Sequence, residues 1–132
     1  MATKATGTFH NTGWNEETYQ KLDGKAKLTR ATIEQDLSGG IAGKASWVSL
    51  MCYRTDGTAA YSGLMRVVGR IGKRAGSFVL ETSGTFDGTK ARTKWTVVPD
   101  SGTKGLRGLR GKGTSVAPHG PDGTFSLNYE LG

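Results

Sequence analysis

A chain of 132 residues with a net charge of +7, 35% hydrophobic residues and 21 glycines has room for one core, and the expectation is a single domain over residues 1–132. No stretch approaches the apolar length that spans a bilayer, and Met1 to Gly7 lack the apolar run of a secretory signal, so the expected setting is soluble and cytoplasmic, with no membrane partner. The lone Cys52 allows no intrachain disulfide; a small buried hydrophobe is its expected role, ahead of a thiol nucleophile.

The first strand is predicted at Ala5 to Trp14, followed by a polar segment through Asp23-Gly24. Leu28 to Leu37 alternates, with Ala31, Ile33, Gln35 and Leu37 on one face and Arg30, Thr32, Glu34 and Asp36 on the wet one. After Ser38-Gly39-Gly40, a strand from Ile41 to Arg54 sets Trp47, Ser49, Met51 and Tyr53 against Val48, Leu50 and Cys52, and both faces are expected to be at least partly covered. Ala59 to Ile71 alternates in the same way, Lys73-Arg74 turns the chain back, and the next strand puts Phe78, Leu80, Thr82 and Phe86 on one face. In Lys90 to Val98 the cations Lys90, Arg92 and Lys94 alternate with Ala91, Thr93, Trp95 and Val97, and Pro99 ends the strand. A glycine-rich connection, Ser101 to Gly113, leads to a short strand near Thr114 to Ala117, and Phe125, Leu127, Tyr129 and Leu131 mark the last.

Asp-Gly-Thr recurs at Asp56, Asp87 and Asp122. Each copy predicts a hairpin with a two-residue turn, because both central residues of such a turn need positive φ, which Gly adopts freely and Asp tolerates. Eight strands joined as hairpins predict an all-β, closed, antiparallel up-and-down barrel, since closure removes unpaired edges; a two-sheet sandwich is the alternative. The inner face would carry Ile33, Trp47, Met51, Tyr53, Tyr61, Met65, Val67, Phe78, Leu80, Thr82, Trp95, Phe125, Leu127 and Tyr129, and a barrel of this size holds one small ligand.

Gly76-Ser77-Phe78-Val79-Leu80, Ser83-Gly84-Thr85-Phe86-Asp87-Gly88, Trp95-Thr96-Val97-Val98-Pro99, Ser101-Gly102-Thr103 and the run Gly105 to Gly111 together resemble a family of small bacterial proteins of unknown function, over nearly the whole chain. That family in turn looks like the allene oxide cyclase barrel, a relative of the lipocalin-like folds. The resemblance implies an allene oxide cyclase-like barrel but no particular reaction. It also implies Glu where this chain has Met65 and His where it has Thr82; the acid-base pair that those two would form is absent here.

The function expected on these grounds is a cofactor-free cyclase or isomerase of an apolar or unsaturated small molecule, using neither metal nor nucleophile. Holding reacting carbons together can supply up to about 7 to 11 kcal/mol. Tyr53, Tyr61 and Thr82 are the candidate catalytic hydrogen-bonders, and Gln35, Trp47, Met51, Met65, Phe78, Leu80, Trp95 and Tyr129 the candidate substrate contacts. Each has a plainer role in sealing, packing or filling the core. The first rival is a non-catalytic carrier of hydrophobic ligands, for which the same lumen suffices.

The second rival is a nucleic-acid binder. Lys73 to Lys112 holds nine basic and three acidic residues, including Lys90, Arg92, Lys94, Arg107 and Arg110. The pattern buries the aromatics that base stacking would need, which disfavours that reading. The glycines of Gly105 to Gly113 suggest a turning connection over a barrel end; a phosphate loop would need a following helix. His10 is expected to face outward and His119 to sit in a loop, and isolated histidines with one cysteine give a metal little support. Val48, Leu50, Cys52, Leu64 and Val68 form an outer apolar stripe, expected to pair two copies as a homodimer.

Overall fold

The computed structural model describes residues 3–118 and 122–131. His119 and the segment through Pro121 lie outside the described residues. Eight strands close into a barrel in chain order, each antiparallel to its neighbours, with the last returning to the first. They are β1 (Thr3–Lys21), β2 (Lys27–Gly39), β3 (Ile41–Tyr53), β4 (Ala59–Ile71), β5 (Arg74–Phe86), β6 (Lys90–Val97), β7 (Leu109–Pro118) and β8 (Asp122–Leu131). The sandwich alternative is therefore excluded. No helix among the described residues is long and apolar enough to cross a membrane.

Alternation sets the inside from the outside as expected. Ala31, Ile33, Gln35 and Leu37 of β2 are buried, as are Trp47, Ser49 and Met51 of β3, while Lys90, Arg92 and Lys94 of β6 are exposed. On the outer side of β3 and β4, Val48, Leu50, Leu64 and Val68 are 38–56% exposed in the single chain, and Cys52 is exposed as well. Cys52 is thus a surface thiol, because the pleat that buries Met51 must turn its neighbour outward.

The turns depart from the expected geometry. In the first two Asp-Gly-Thr copies only the glycine has positive φ, Gly57 at 89° and Gly88 at 99°, and the loops are longer than two residues. The Gly57 N–H donates to the Arg54 carbonyl and the Arg54 N–H to the Thr58 carbonyl. In both loops the aspartate carboxylate accepts from the N–H and hydroxyl of its own threonine, at 2.7–2.9 Å. The motif works as an aspartate-capped turn. At Asp87 three hydrogen bonds from Lys90 and Thr89 lower the pKa to about 2.

The third copy is not a turn at all. Asp122, Gly123 and Thr124 lie within β8, paired with His10, Phe9 and Thr8. Gly123 is needed there because a Cβ would run into the Phe9 ring and the Val116 carbonyl. The reversal between β4 and β5 falls at Gly72-Lys73, one residue before the expected Lys73-Arg74.

Strand β1 is much longer than expected. It runs to Lys21 because the polar segment after Trp14 keeps pairing with β2. A bulge between Asn11 and Gly13 shifts its register, so that Phe9 and Asn11 face inward before it and Trp14 and Glu16 after it. An extra residue inverts the alternation downstream. Among the described residues, pairing with β8 covers Thr3 to His10, and β1 continues beside β2 to Lys21.

The opposite end is closed by the segment expected to be a glycine-rich connection. A single 3₁₀ turn, Lys104–Leu106, leads directly into β7, and both Leu106 and Leu109 are buried in the core. Hydrogen bonds tie this segment along β5: Thr103 N–H donates to the Ser77 carbonyl, and the Ser77 and Val79 N–H groups donate to the hydroxyls of Thr103 and Ser101. Fully burying each leucine contributes about 1.5–3 kcal/mol, so this segment anchors the barrel floor.

Candidate functional site

Side-chain size decides where the barrel is solid. Towards the floor, Ile41, Val67, Ile71, Phe78, Leu80, Trp95, Leu106, Leu109 and Leu127 meet with almost no exposure. Trp95 stacks on Phe125 there, ring centroids 5.6 Å apart. Towards the end bearing the Asp56 and Asp87 turns, small residues face inward: Ala59 on β4, Ala91 and Thr93 on β6, Ser115 and Ala117 on β7. They leave a cavity of about 280 Å³, at the small end of ligand sites, which run to about 300–1,000 Å³.

Of the residues singled out from sequence, Gln35, Trp47, Met51, Tyr53, Tyr61 and Met65 line this cavity. The others do not. Phe78, Leu80 and Trp95 belong to the packed half, and Tyr129 is half-buried against the same core. Thr82 is buried beside the site, where its hydroxyl accepts a hydrogen bond from Trp47 Nε1 at 3.0 Å. It orients a wall tryptophan instead of facing a guest. Met65 and Thr82, which replace the Glu and His implied by the family resemblance, do sit on adjoining strands and both are buried.

The polar groups of the cavity are few and mostly tied. The Tyr61 hydroxyl lies 2.7 Å from Thr93 Oγ1, the Tyr61 ring meets Trp47 edge-on, and burial raises the phenol pKa. Gln35, 3% exposed, donates from Nε2 to Asn11 Oδ1 at 2.9 Å. Its Oε1 has no hydrogen-bond partner among the described residues.

A group that sequence reasoning missed stands at the rim. Glu16 accepts hydrogen bonds from Thr29 Oγ1 at 2.6 Å, from the Tyr53 hydroxyl at 2.7 Å and from Trp14 Nε1 at 3.0 Å. Burial works against its ionisation, but the hydrogen bonds from Thr29, Tyr53 and Trp14, with the charge of Lys27, outweigh it and hold the carboxyl below its usual range. Burial, and then the hydrogen bond and charge of Glu16, push the Tyr53 phenol well above its ordinary value. Lys27 Nζ stands 5.1 Å from the centre of the Tyr53 ring. The available signal was the change of parity between Phe9 and Trp14, which requires a bulge if both are to face inward.

His10 points outward, as expected, and pairs with Asp122. Two aromatics, Trp14 and Tyr19, are exposed, contrary to the expectation that the pattern buries them. They stand on the part of β1 that pairs with β2, rather than beside the cations of β6.

No curated protein is significantly similar to this chain. Among solved structures, a protein of unknown function from the DUF3224 family of Shewanella oneidensis MR-1 superposes with a TM-score of 0.85 at 26% identity, over 100% of this chain and 98% of that one. A barrel of the same extent in a protein this distant in sequence supports the fold and leaves the ligand open. The family model described as "Protein of unknown function (DUF3224)" matches residues 5–129, and the chain belongs to that family.

Proposed function

We propose that this barrel binds one small, mainly apolar molecule in its open half. The observation that carries the proposal is the cavity itself: about 280 Å³, walled by Phe9, Trp47, Met51 and Met65, in a molecule whose other half is packed solid. Natural cores close such spaces, because an unfilled apolar cavity costs about 24 cal/mol per Å³. Here small residues on three strands meet at one height and keep it open.

Calorimetric titration with small aromatic compounds such as indole and naphthalene tests this reading. Binding is expected in the native protein, and none in Ala91→Trp, whose side chain would fill the cavity from the β6 wall. Equal binding by both proteins would place the ligand elsewhere, and a native protein that binds neither compound would remove the proposal.

A second reading adds chemistry to the same site, and the Glu16–Tyr53 pair favours it. A carboxylate held ionised beside a phenol of the cavity wall fixes that phenol by accepting its hydrogen, which gives the site an oriented polar group against which a substrate could be positioned. Together with the Tyr61 hydroxyl it would serve a cofactor-free isomerase or cyclase. The allene oxide cyclase-like relationship expected from sequence is proposed together with this reading. Mass spectrometry of a bound compound before and after incubation separates the two, since a carrier returns its guest unaltered.

A further inference from the structure

We infer that the guest carries a hydrogen-bond donor, an N–H or O–H, and that Gln35 Oε1 is the atom that receives it. The inference rests on the binding reading above and narrows its ligand class. A primary amide has two donor hydrogens and an acceptor oxygen, and Gln35 is oriented by one of the donors: Nε2 gives its hydrogen to Asn11 Oδ1 at 2.9 Å. Gln35 is a cavity-lining residue, and with Nε2 engaged to Asn11 the other end of its amide is left unpaired. The end left is Oε1, in a side chain only 3% exposed, with no partner among the described residues.

A buried acceptor without a partner is an unfavourable arrangement for a protein that folds empty. It becomes favourable when a ligand supplies the missing hydrogen. Among the other polar groups of the wall, the Tyr61 and Thr93 hydroxyls bond to each other and the Tyr53 hydroxyl bonds to Glu16, while the Ser115 hydroxyl stands on β7. Recognition therefore centres on the buried Gln35 acceptor in a largely apolar chamber. An amphipathic guest with a single donor fits that pattern, and a hydrocarbon or an ether does not exploit it. Sites built around such an acceptor reject analogues lacking the donor more strongly than apolar pockets reject a missing methylene.

Two pairs of isomers isolate the donor while conserving volume: 3-methylindole against 1-methylindole, and 4-ethylphenol against 4-methylanisole. Isothermal titration calorimetry of the native protein is expected to give the donor-bearing member of each pair a Kd about tenfold lower or better. In Gln35→Met, which keeps the length and removes the amide, the preference is expected to vanish while the apolar affinity persists. Equal affinities within both pairs in the native protein would overturn the inference and leave the binding reading standing. A preference for the acceptor-only member, or a donor preference that survives Gln35→Met, would overturn it too. If none of the four binds, both readings fail together. The native comparison needs no variant, so a poorly folding Gln35→Met does not protect the idea.

Discussion

The two halves of this barrel are built on the same strands and differ in what they put inside. Along β6 the inward residues grow from Ala91 and Thr93 at the turn end to Trp95 and Val97 deeper in. Along β4 they run from Ala59 to Ile71. The floor half obeys the packing rule for interiors, while the turn half gives up contacts to keep a hollow. One sheet is therefore solid at one end and hollow at the other, and the division lies at the height of Trp47 and Thr82.

The largest contrast is expected from truncation. Phe78→Ala, in the solid half, should cost about 3–5 kcal/mol in denaturant-induced unfolding. Met51→Ala, on the cavity wall, enlarges a space that already exists and should cost less than about 2 kcal/mol. Comparable losses would mean that the hollow is filled by packing in solution, and the distinction between the halves would collapse.

The boundary itself can be probed next. Thr82→Val conserves shape but leaves the buried Trp47 N–H without its acceptor, and should cost about 1–3 kcal/mol. Because Trp47 also walls the cavity, the same variant should change ligand affinity, whereas Phe78→Ala, if it still folds, should change it little. Stability and binding measured side by side sharpen where one half ends.

A smaller effect is expected from pH. The Glu16 carboxyl is depressed below its ordinary 4.5 in the folded protein, so its contribution to stability is present above that value and is lost as pH falls through the folded pKa. Urea midpoints across the acid range should fall less steeply for Glu16→Gln than for the native protein. Parallel curves would remove Glu16 from the acid response of the rim.

The smallest contrast concerns the repeated motif. Asp87→Ala should lower the melting temperature measurably because Asp87 ties its turn, while Asp122→Ala, in the body of β8, should lower it less. The reverse order would show that the turn carboxylates contribute little.

Much of this architecture is legible in the chain. Period-two alternation requires Ile33, Gln35, Trp47, Met51, Tyr61 and Met65 to share one face, and eight such runs joined by short turns close readily into an up-and-down barrel. That inference uses only neighbours in sequence, where the pleat leaves no freedom. The extra residue in β1 is different, because a bulge becomes visible only when the facing strand is in place; without it Glu16 reads as part of a polar linker. Leu106 and Leu109 likewise reveal themselves as the floor only after the glycine-rich segment is laid along β5.

The cavity belongs entirely to this second kind of information. Ala59, Ala91, Thr93, Ser115 and Ala117 are unremarkable one by one, scattered over about sixty residues of chain. What the sequence by itself determined is which side chains face in. Tertiary structure alone decided at what height they meet, because barrel stagger and register bring distant residues to a common level, and that level is where small side chains leave room near an amide oxygen that has no partner among the described residues.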